Sequence, residues 1–413
     1  MNTTLPNHML EATRLTREGK LAEASALLRR ALHGEDPSDT PVPKRDAPGP
    51  PPAGGRPSRT FDIDPRTGEV LDPCSSGTGL FRTGADLWSG GRPGRMVTPP
   101  IAGGLRGLLD RIAPGASPQT TDPLPQGAQF VTRSFENHAG SRGYKLYIPS
   151  TYRGEAMPLV VMLHGCTQSP DDFAAGTRMN MLAEEHGCLI AYPGQTQAAN
   201  AQKCWNWFSP GDQRRDLGEP ALIAGITEQV MRDHAVDRRR VYVAGLSAGG
   251  AAAAIMGMTY PDLYAAVGVH SGLACGAARD APSAFAAMRQ GAAAVNQPGD
   301  GSATASNGRP VPTIVFHGDK DGTVHPRNGE QVIAQSGAGG LRSEVQQGQV
   351  SGGHAYSRIL HSDAAGQVVL EQWVVHGAGH AWSGGSSAGS YTDPRGPDAS
   401  REMLRFFLSK ASG

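Results

Sequence analysis

Val241-Tyr242-Val243-Ala244-Gly245-Leu246-Ser247-Ala248-Gly249-Gly250 is the stretch on which the reading of this chain turns. Its first four residues are continuously apolar, as in a strand buried on both faces of a parallel sheet. Ala248 to Thr259 follows as an Ala-rich helix. Between strand and helix stands the pattern G-x-S-x-G. In a nucleophile elbow this sharp turn lifts a serine hydroxyl clear of the sheet, and the glycines let the backbone pack that closely. The pattern alone says little in a chain with 55 Gly, and Gly385-Ser386-Ser387-Ala388-Gly389 matches it too. That second copy lies in a Gly/Ser loop with no apolar strand before it. Context therefore selects Ser247 as the nucleophile.

Working outward, the same apolar signature recurs at Leu159–Leu163, Cys188–Tyr192 and Thr313–His317. Val368–Leu370 and Trp373–Val375 read as two later strands. Order begins near Gln129, with strand-like alternation at Phe130, Thr132 and Ser134 and a second strand at Tyr144–Pro149. Pro220 to His234 reads as a helix. Strands alternating with helices predict an α/β fold with a mostly parallel sheet. Ala292 to Arg309 is rich in Gly, Ala, Ser and Asn and reads as a surface insertion.

The remainder is poorer in pattern. The chain has 413 residues, 38 Lys+Arg against 38 Asp+Glu, and 18% charged residues. Zero formal net charge gives no whole-chain field toward nucleic acid or an anionic membrane, and no apolar run approaches the ~18–20 residues of a membrane-spanning helix. Residues 1–35 read as an N-terminal amphipathic helical segment, with Met9, Leu10, Leu15, Leu21, Leu27, Leu28 and Leu32 on a helical period. That face offers a surface for a partner or for the rest of the chain. Residues 36–125 read as a Pro/Gly-rich, mostly irregular linker, since ten of the seventeen residues from Pro41 to Pro57 are Pro or Gly. A brief helix is expected within Ile101–Ile112. The remaining domain is 126–413. Five Cys with no C-x-x-C pair are no disulfide scaffold, and the charged N-terminus lacks a leader's apolar core, which reads as intracellular.

A serine needs a base, and the base needs a group that fixes its tautomer. Asp319-Lys320-Asp321 follows the strand Thr313–His317, and His376-Gly377-Ala378-Gly379-His380 follows Trp373–Val375. Both segments lie just past the C-terminal ends of strands, where open α/β sheets place their sites. Asp321 sits further into its loop and is the expected acid, leaving Asp319 to hold the turn. His380, in a Gly-flanked loop, is the expected base, whereas His376 ends a strand. A shared zinc on His376 and His380 would need a helix that Gly377 and Gly379 disfavour, so neither metal nor cofactor is assigned. Oxyanion donors are expected from the backbone N–H groups of Ala248, next to the nucleophile, and Cys166, in the loop His164-Gly165-Cys166-Thr167-Gln168.

These segments together resemble the esterase family of poly(3-hydroxybutyrate) depolymerases, which includes feruloyl and acetylxylan esterase-like members. The resemblance runs from about residue 129 to 410. It is carried by Leu163–Gln168, Lys203-Cys204-Trp205-Asn206-Trp207-Phe208, Gly218-Glu219, Val236-Asp237 with Arg240–Val243, the elbow, Gly379–Gly385 and Gly396–Ser400. It implies an α/β-hydrolase fold and a cofactor-free serine esterase acting through Ser247, Asp321 and His380. Short hydroxyacyl esters or polyester oligomers are the implied substrates, with feruloyl or acetylxylan-type esters as the alternative. Acyl transfer on the same fold and a non-catalytic interaction protein are further alternatives. The absence of a leader and of a polymer-gripping domain favours soluble oligomers or small esters over the extracellular polymer that many family members attack. The family also implies a Cys166–Cys204 disulfide, while the missing leader favours free thiols. Trp205, Trp207 and Trp382 are candidates for an apolar substrate wall, with core packing as the other reading.

Overall fold

The computed structural model describes residues 124–293 and 311–411. The N-terminal helix, the linker up to residue 123, the helix expected within 101–112 and nearly all of the 292–309 insertion lie outside the described residues. The strands of the main sheet are β1 (Gln129–Asn137), β2 (Gly140–Ile148), β3 (Met157–Leu163), β4 (Leu189–Pro193), β5 (Val236–Leu246), β6 (Ala266–His270), β7 (Thr313–Gly318), β8 (Arg342–Gln349), β9 (Ala355–Ser362) and β10 (Val368–Val375). The helices are α1 (Pro170–Thr177), α2 (Met179–His186), α3 (Gly218–Asp233), α4 (Ala248–Thr259), α5 (Ala281–Gln290), α6 (Arg327–Gln335) and α7 (Ala399–Leu408).

The ten strands form one sheet in the order β1-β2-β4-β3-β5-β6-β7-β10-β9-β8. The pairs from β4 through β10 are parallel, and β1, β2, β8 and β9 join antiparallel at the margins. A mostly parallel sheet flanked by helices is thus what the apolar runs predicted. β3 shows why these runs are continuous. Leu159, Val161 and Leu163 enter the core beneath α3–α6, while Val160 and Met162 enter the core beneath α1, α2 and α7. All seven residues of β3 are buried. Complete burial of such a side chain is worth about 1.5–3 kcal/mol, so a polar residue on either face would be costly.

Two readings need correction. Val368–Leu370 and Trp373–Val375 are one strand, not two, because the intervening Glu371 and Gln372 continue the ladder with β9 and β7. Glu371 is fully buried between the guanidinium groups of Arg358 and Arg405, so its charge is matched rather than solvated. In addition, β8 and β9 extend the sheet where no strand was read. β8 (RSEVQQGQ) is exposed along nearly its whole length and carries no apolar run.

Candidate active site

Parallel strands place their following loops along one edge, and Ser247, Asp321 and His380 lie in the segments that follow β5, β7 and β10 there. Ser247 directly follows β5 and caps α4 with φ 57° and ψ −118°, a conformation that residues with a Cβ rarely adopt. Its N–H donates to His270 O at 2.9 Å, and its carbonyl accepts the first helical bond from Ala251 N at 2.9 Å. The glycines around it are sterically required. A Cβ at Gly245 would lie 2.3 Å from Gly249 C, and one at Gly249 would lie 2.0 Å from Leu163 O. In the second G-x-S-x-G match, by contrast, Ser387 is exposed in a loop that bonds to α1 through Ser386 N and Gly176 O.

Asp321 and His380 form a pair, with His380 Nδ1 2.7 Å from Asp321 Oδ2. Asp321 Oδ1 accepts from the N–H groups of Thr323 and Val324, both at 2.9 Å. His317 Nε2 is 3.4 Å from Asp321 Oδ2 and 2.8 Å from Val324 O. Burial alone would raise this carboxyl, but the hydrogen bonds of His317 and His380 outweigh it and hold Asp321 far below the usual carboxylate range. The acid is therefore ionised and fixed in direction. With Nδ1 engaged, His380 has Nε2 left to act.

The loop that carries His380 crosses two strands in the direction of the elbow. β10 lies three positions from β5, yet just past His380 the chain is already over β6. Ser383 N donates to His270 Nε2 at 2.9 Å, and Trp382 stacks on the His270 ring at 5.0 Å. His270 in turn is in register with Leu246, the residue before Ser247. Among the described residues no hydrogen bond joins the Ser247 hydroxyl to His380, and Ser247 Oγ has no protein partner.

The loop after β3 is braced on several sides. His164 is buried, with Nδ1 2.7 Å from Gly165 O while Nε2 accepts Gln195 N–H at 3.0 Å. Nδ1 is then the protonated nitrogen. Holding Gly165 O fixes the plane of the Gly165–Cys166 peptide, and so the direction of the Cys166 N–H at its other end. That N–H and the Ala248 N–H at the first turn of α4 have no partner among the described residues. Trp205 Nε1 donates to His164 O at 3.1 Å. Glu219, buried at the start of α3, accepts from Asn206 N, Asn206 Nδ2 and Gln195 Nε2. Burial, then the Asp212 charge, raises its carboxyl to about 7.

Cys166 and Cys204 are joined as a disulfide, their Cα atoms 4.2 Å apart. The bridge spans 38 residues and ties the Cys166 peptide to the Trp205 loop. On the chain-entropy account a loop of that length contributes about 4 kcal/mol. Cys204→Ser should therefore lower the melting temperature by roughly 5–10 °C and lower activity as well. Melting curves with and without a reductant, which should shift the wild type but not the variant, check this.

Trp205 and Trp382 are 0% and 1% exposed. Of the two readings, core packing describes them, with hydrogen bonds to His164 O and Ser400 Oγ. Trp207 is also buried, edge-on to Phe208. His317, His270, Gln195 and Glu219 support the site but were given no role from sequence. Glu219 had a signal in the Gly218-Glu219 motif, whereas His270 and Gln195 meet partners from distant segments, and His317 meets Asp321 and Val324 in the loop after its own strand.

Two of these supports make stability pH-dependent. Burial pushes His164 down to about 4, and burial with the charges of His317 and His380 pushes His270 down to about 3. The unfolded chain takes up protons below about pH 6.5, whereas the folded one does not until about pH 4 or lower. The stabilisation from these two imidazoles is thus fully present above ~6.5 and declines as the pH falls toward 4, with up to about two protons taken up by them on unfolding. Glu219, raised to about 7, works in the opposite direction over that window, so the imidazoles are read in Glu219→Gln: its urea midpoint should be lower at about pH 5 than at about pH 7.5, and equal midpoints in that variant would contradict the burial of neutral imidazoles.

The strand order, the left-handed serine between β5 and α4, and an acid and a histidine past later strands define an α/β-hydrolase. Residues 142–341 match the family described as esterase PHB depolymerase. The chain is 33% identical over 253 residues to poly(3-hydroxyalkanoate) depolymerase C of Paucimonas lemoignei, covering 60% of each chain. It is 26% identical over 313 residues to feruloyl esterase B of Neurospora crassa, covering 73% of this chain and 99% of that one. Among solved structures, acetyl xylan esterase from Aspergillus awamori superposes with a TM-score of 0.50 at 20% identity, over 68% of this chain and 98% of that one. The family resemblance drawn from the motifs therefore holds.

Proposed function

We propose that this protein is a serine carboxylesterase for short hydroxyacyl esters or polyester oligomers, with residues 126–413 as its esterase domain. In this reading His380 Nε2 takes the Ser247 proton as Oγ attacks the ester carbonyl. Asp321 holds the imidazole and balances its charge. The N–H groups of Ala248 and Cys166 receive the oxyanion. The alcohol leaves with the proton from His380, and water, deprotonated by the same imidazole, releases the acid. No cofactor takes part in these steps. The Ser247–His380 bond is one that forms on substrate binding, as catalytic hydrogen bonds often do.

The observation that carries this reading is the backbone of Ser247. A φ of 57° with ψ −118°, between two glycines that admit no Cβ, is backbone strain held at a residue whose hydroxyl has no partner among the described residues. The resemblance to poly(3-hydroxyalkanoate) depolymerase C supports a hydroxyacyl ester as substrate. Alignment with nearly all of feruloyl esterase B favours a second reading, an aryl or sugar ester. A panel of hydroxybutyrate oligomers, feruloyl esters and p-nitrophenyl butyrate separates the two by kcat/KM. Fluorophosphonate labelling of wild type but not of Ser247→Ala tests the nucleophile. Failure of wild type to label or to hydrolyse any ester would sink both readings.

A further inference from the structure

Two residues before Asp321 and four before His380 lies a second carboxylate–imidazole pair. His376 Nδ1 is 3.1 Å from Asp319 Oδ2, and His376 Nε2 is 2.9 Å from Ser357 Oγ on β9. One neutral tautomer satisfies both contacts, with Nδ1–H donating to the carboxylate and Nε2 accepting the serine hydroxyl. Serine, histidine and aspartate thus recur in nucleophile–base–acid order. Ser357, however, lies within β9, opposite Gln347 on β8 and Val374 on β10. A strand paired on both sides has its amides committed to the ladders, so no spare donor pair stands beside Ser357 to receive an oxyanion. The conformation that strains Ser247 is also missing, since Ser357 is not among the residues with positive φ.

The surrounding bonds indicate what this cluster does hold. Asp319 Oδ1 accepts Gly377 N–H at 2.7 Å. Asp319 N donates to Val375 O at 3.1 Å, Lys320 N to Ala378 O at 3.0 Å, and His376 N to Ala355 O at 2.8 Å. Gly318 lies so close to the β10 loop that a Cβ there would be 2.3 Å from Ala378 O. The loops after β7 and β10 are fastened along their first turns, and the next contact in that line is Asp321 with His380. The fastened segment contains Gly377, at φ 79°, and Gly379, two residues with little stiffness of their own.

We propose that Asp319, His376 and Ser357 form an outer clasp that positions His380 over the elbow, acting through the β10 loop and not by attack on substrate. This rests on the assignment of Ser247, Asp321 and His380 as the triad. A misplacement of about 1 Å at a reacting group costs about 10²-fold in rate, and substrate binding need not change with it.

The test is steady-state hydrolysis of p-nitrophenyl butyrate by Asp319→Ala, His376→Ala, the double variant and Asp319→Asn, with Ser247→Ala alongside. Each alanine variant should lose about 10–100-fold in kcat with KM within about threefold, and the double variant should lose no more than the worse single. Asp319→Asn keeps an oxygen for Gly377 N–H and should recover activity to within about fivefold of wild type. If Asp319→Ala does not fold, His376→Ala, altered at a partly exposed ring, carries the same comparison. Alanine variants with wild-type kcat beside an inactive Ser247→Ala would overturn the clasp alone. An active Ser247→Ala would instead overturn the triad, and the clasp with it. Phosphonate labelling of Ser357 in Ser247→Ala would also overturn the clasp, by making Ser357 a nucleophile.

Discussion

Ser247→Ala is expected to lower kcat for p-nitrophenyl butyrate by about 10⁴–10⁶ while leaving the melting temperature within about 2 °C of wild type. The two halves of this result have separate causes. Catalytically, no other group at the elbow replaces the hydroxyl, and residual turnover would come only from the oxyanion donors and from binding. Structurally, Ser247 is half-buried and its Oγ makes no hydrogen bond among the described residues, so its removal orphans no partner there. Alanine also meets the same strain as serine at φ 57°, since both carry one Cβ. Residual activity near wild type would remove Ser247 from the mechanism. Loss of activity together with loss of the folded state would leave the comparison without force, so the melting curve belongs with the assay.

Gly249→Ala should do the reverse, disabling the protein through its fold. The added methyl would sit 2.0 Å from Leu163 O and 2.5 Å from His164 O, both main-chain atoms at the end of a buried strand. Neither can withdraw without moving β3 and the loop that carries Cys166. A destabilisation of at least about 3 kcal/mol is expected, with poor soluble yield. Gly211→Ala, where an added Cβ meets nothing within 4 Å, should be neutral to within about 0.5 kcal/mol. Denaturant midpoints of the three proteins make the comparison. A Gly249→Ala protein as stable as wild type would mean that α4 does not approach β3 as closely as described.

How much of this was legible follows from where each signal resides. The strands β3 to β7 could be read because burial on both faces demands unbroken apolar runs, and the elbow because a strand leads into it and a helix leaves it. β8 and β9 escaped because strands at an exposed margin need no such run. β10 was split because Glu371 looked like a break, and only the distant Arg358 and Arg405 make a buried carboxylate acceptable there. Within the site, loop position suggested Asp321 and His380, and the structure brings them within 2.7 Å of one another. The residues left over, Asp319 and His376, pair as well, which no local pattern announced. Trp205 and Trp382 stayed open between two readings because an indole packs into a core and lines a cleft with the same chemistry; both are buried.

Among the described residues the outermost strand β8 leaves a row of main-chain donors and acceptors without a neighbouring strand, a margin that another sheet could join. Arg342, Glu344, Gln346 and Gln347 stand along it, and Val345 is its single large apolar residue. A foreign strand laid there would have to strip water from charged and amide groups for little apolar gain. Exchanging those polar residues for valines would remove that deterrent and turn a quiet border into a seam along which molecules stack.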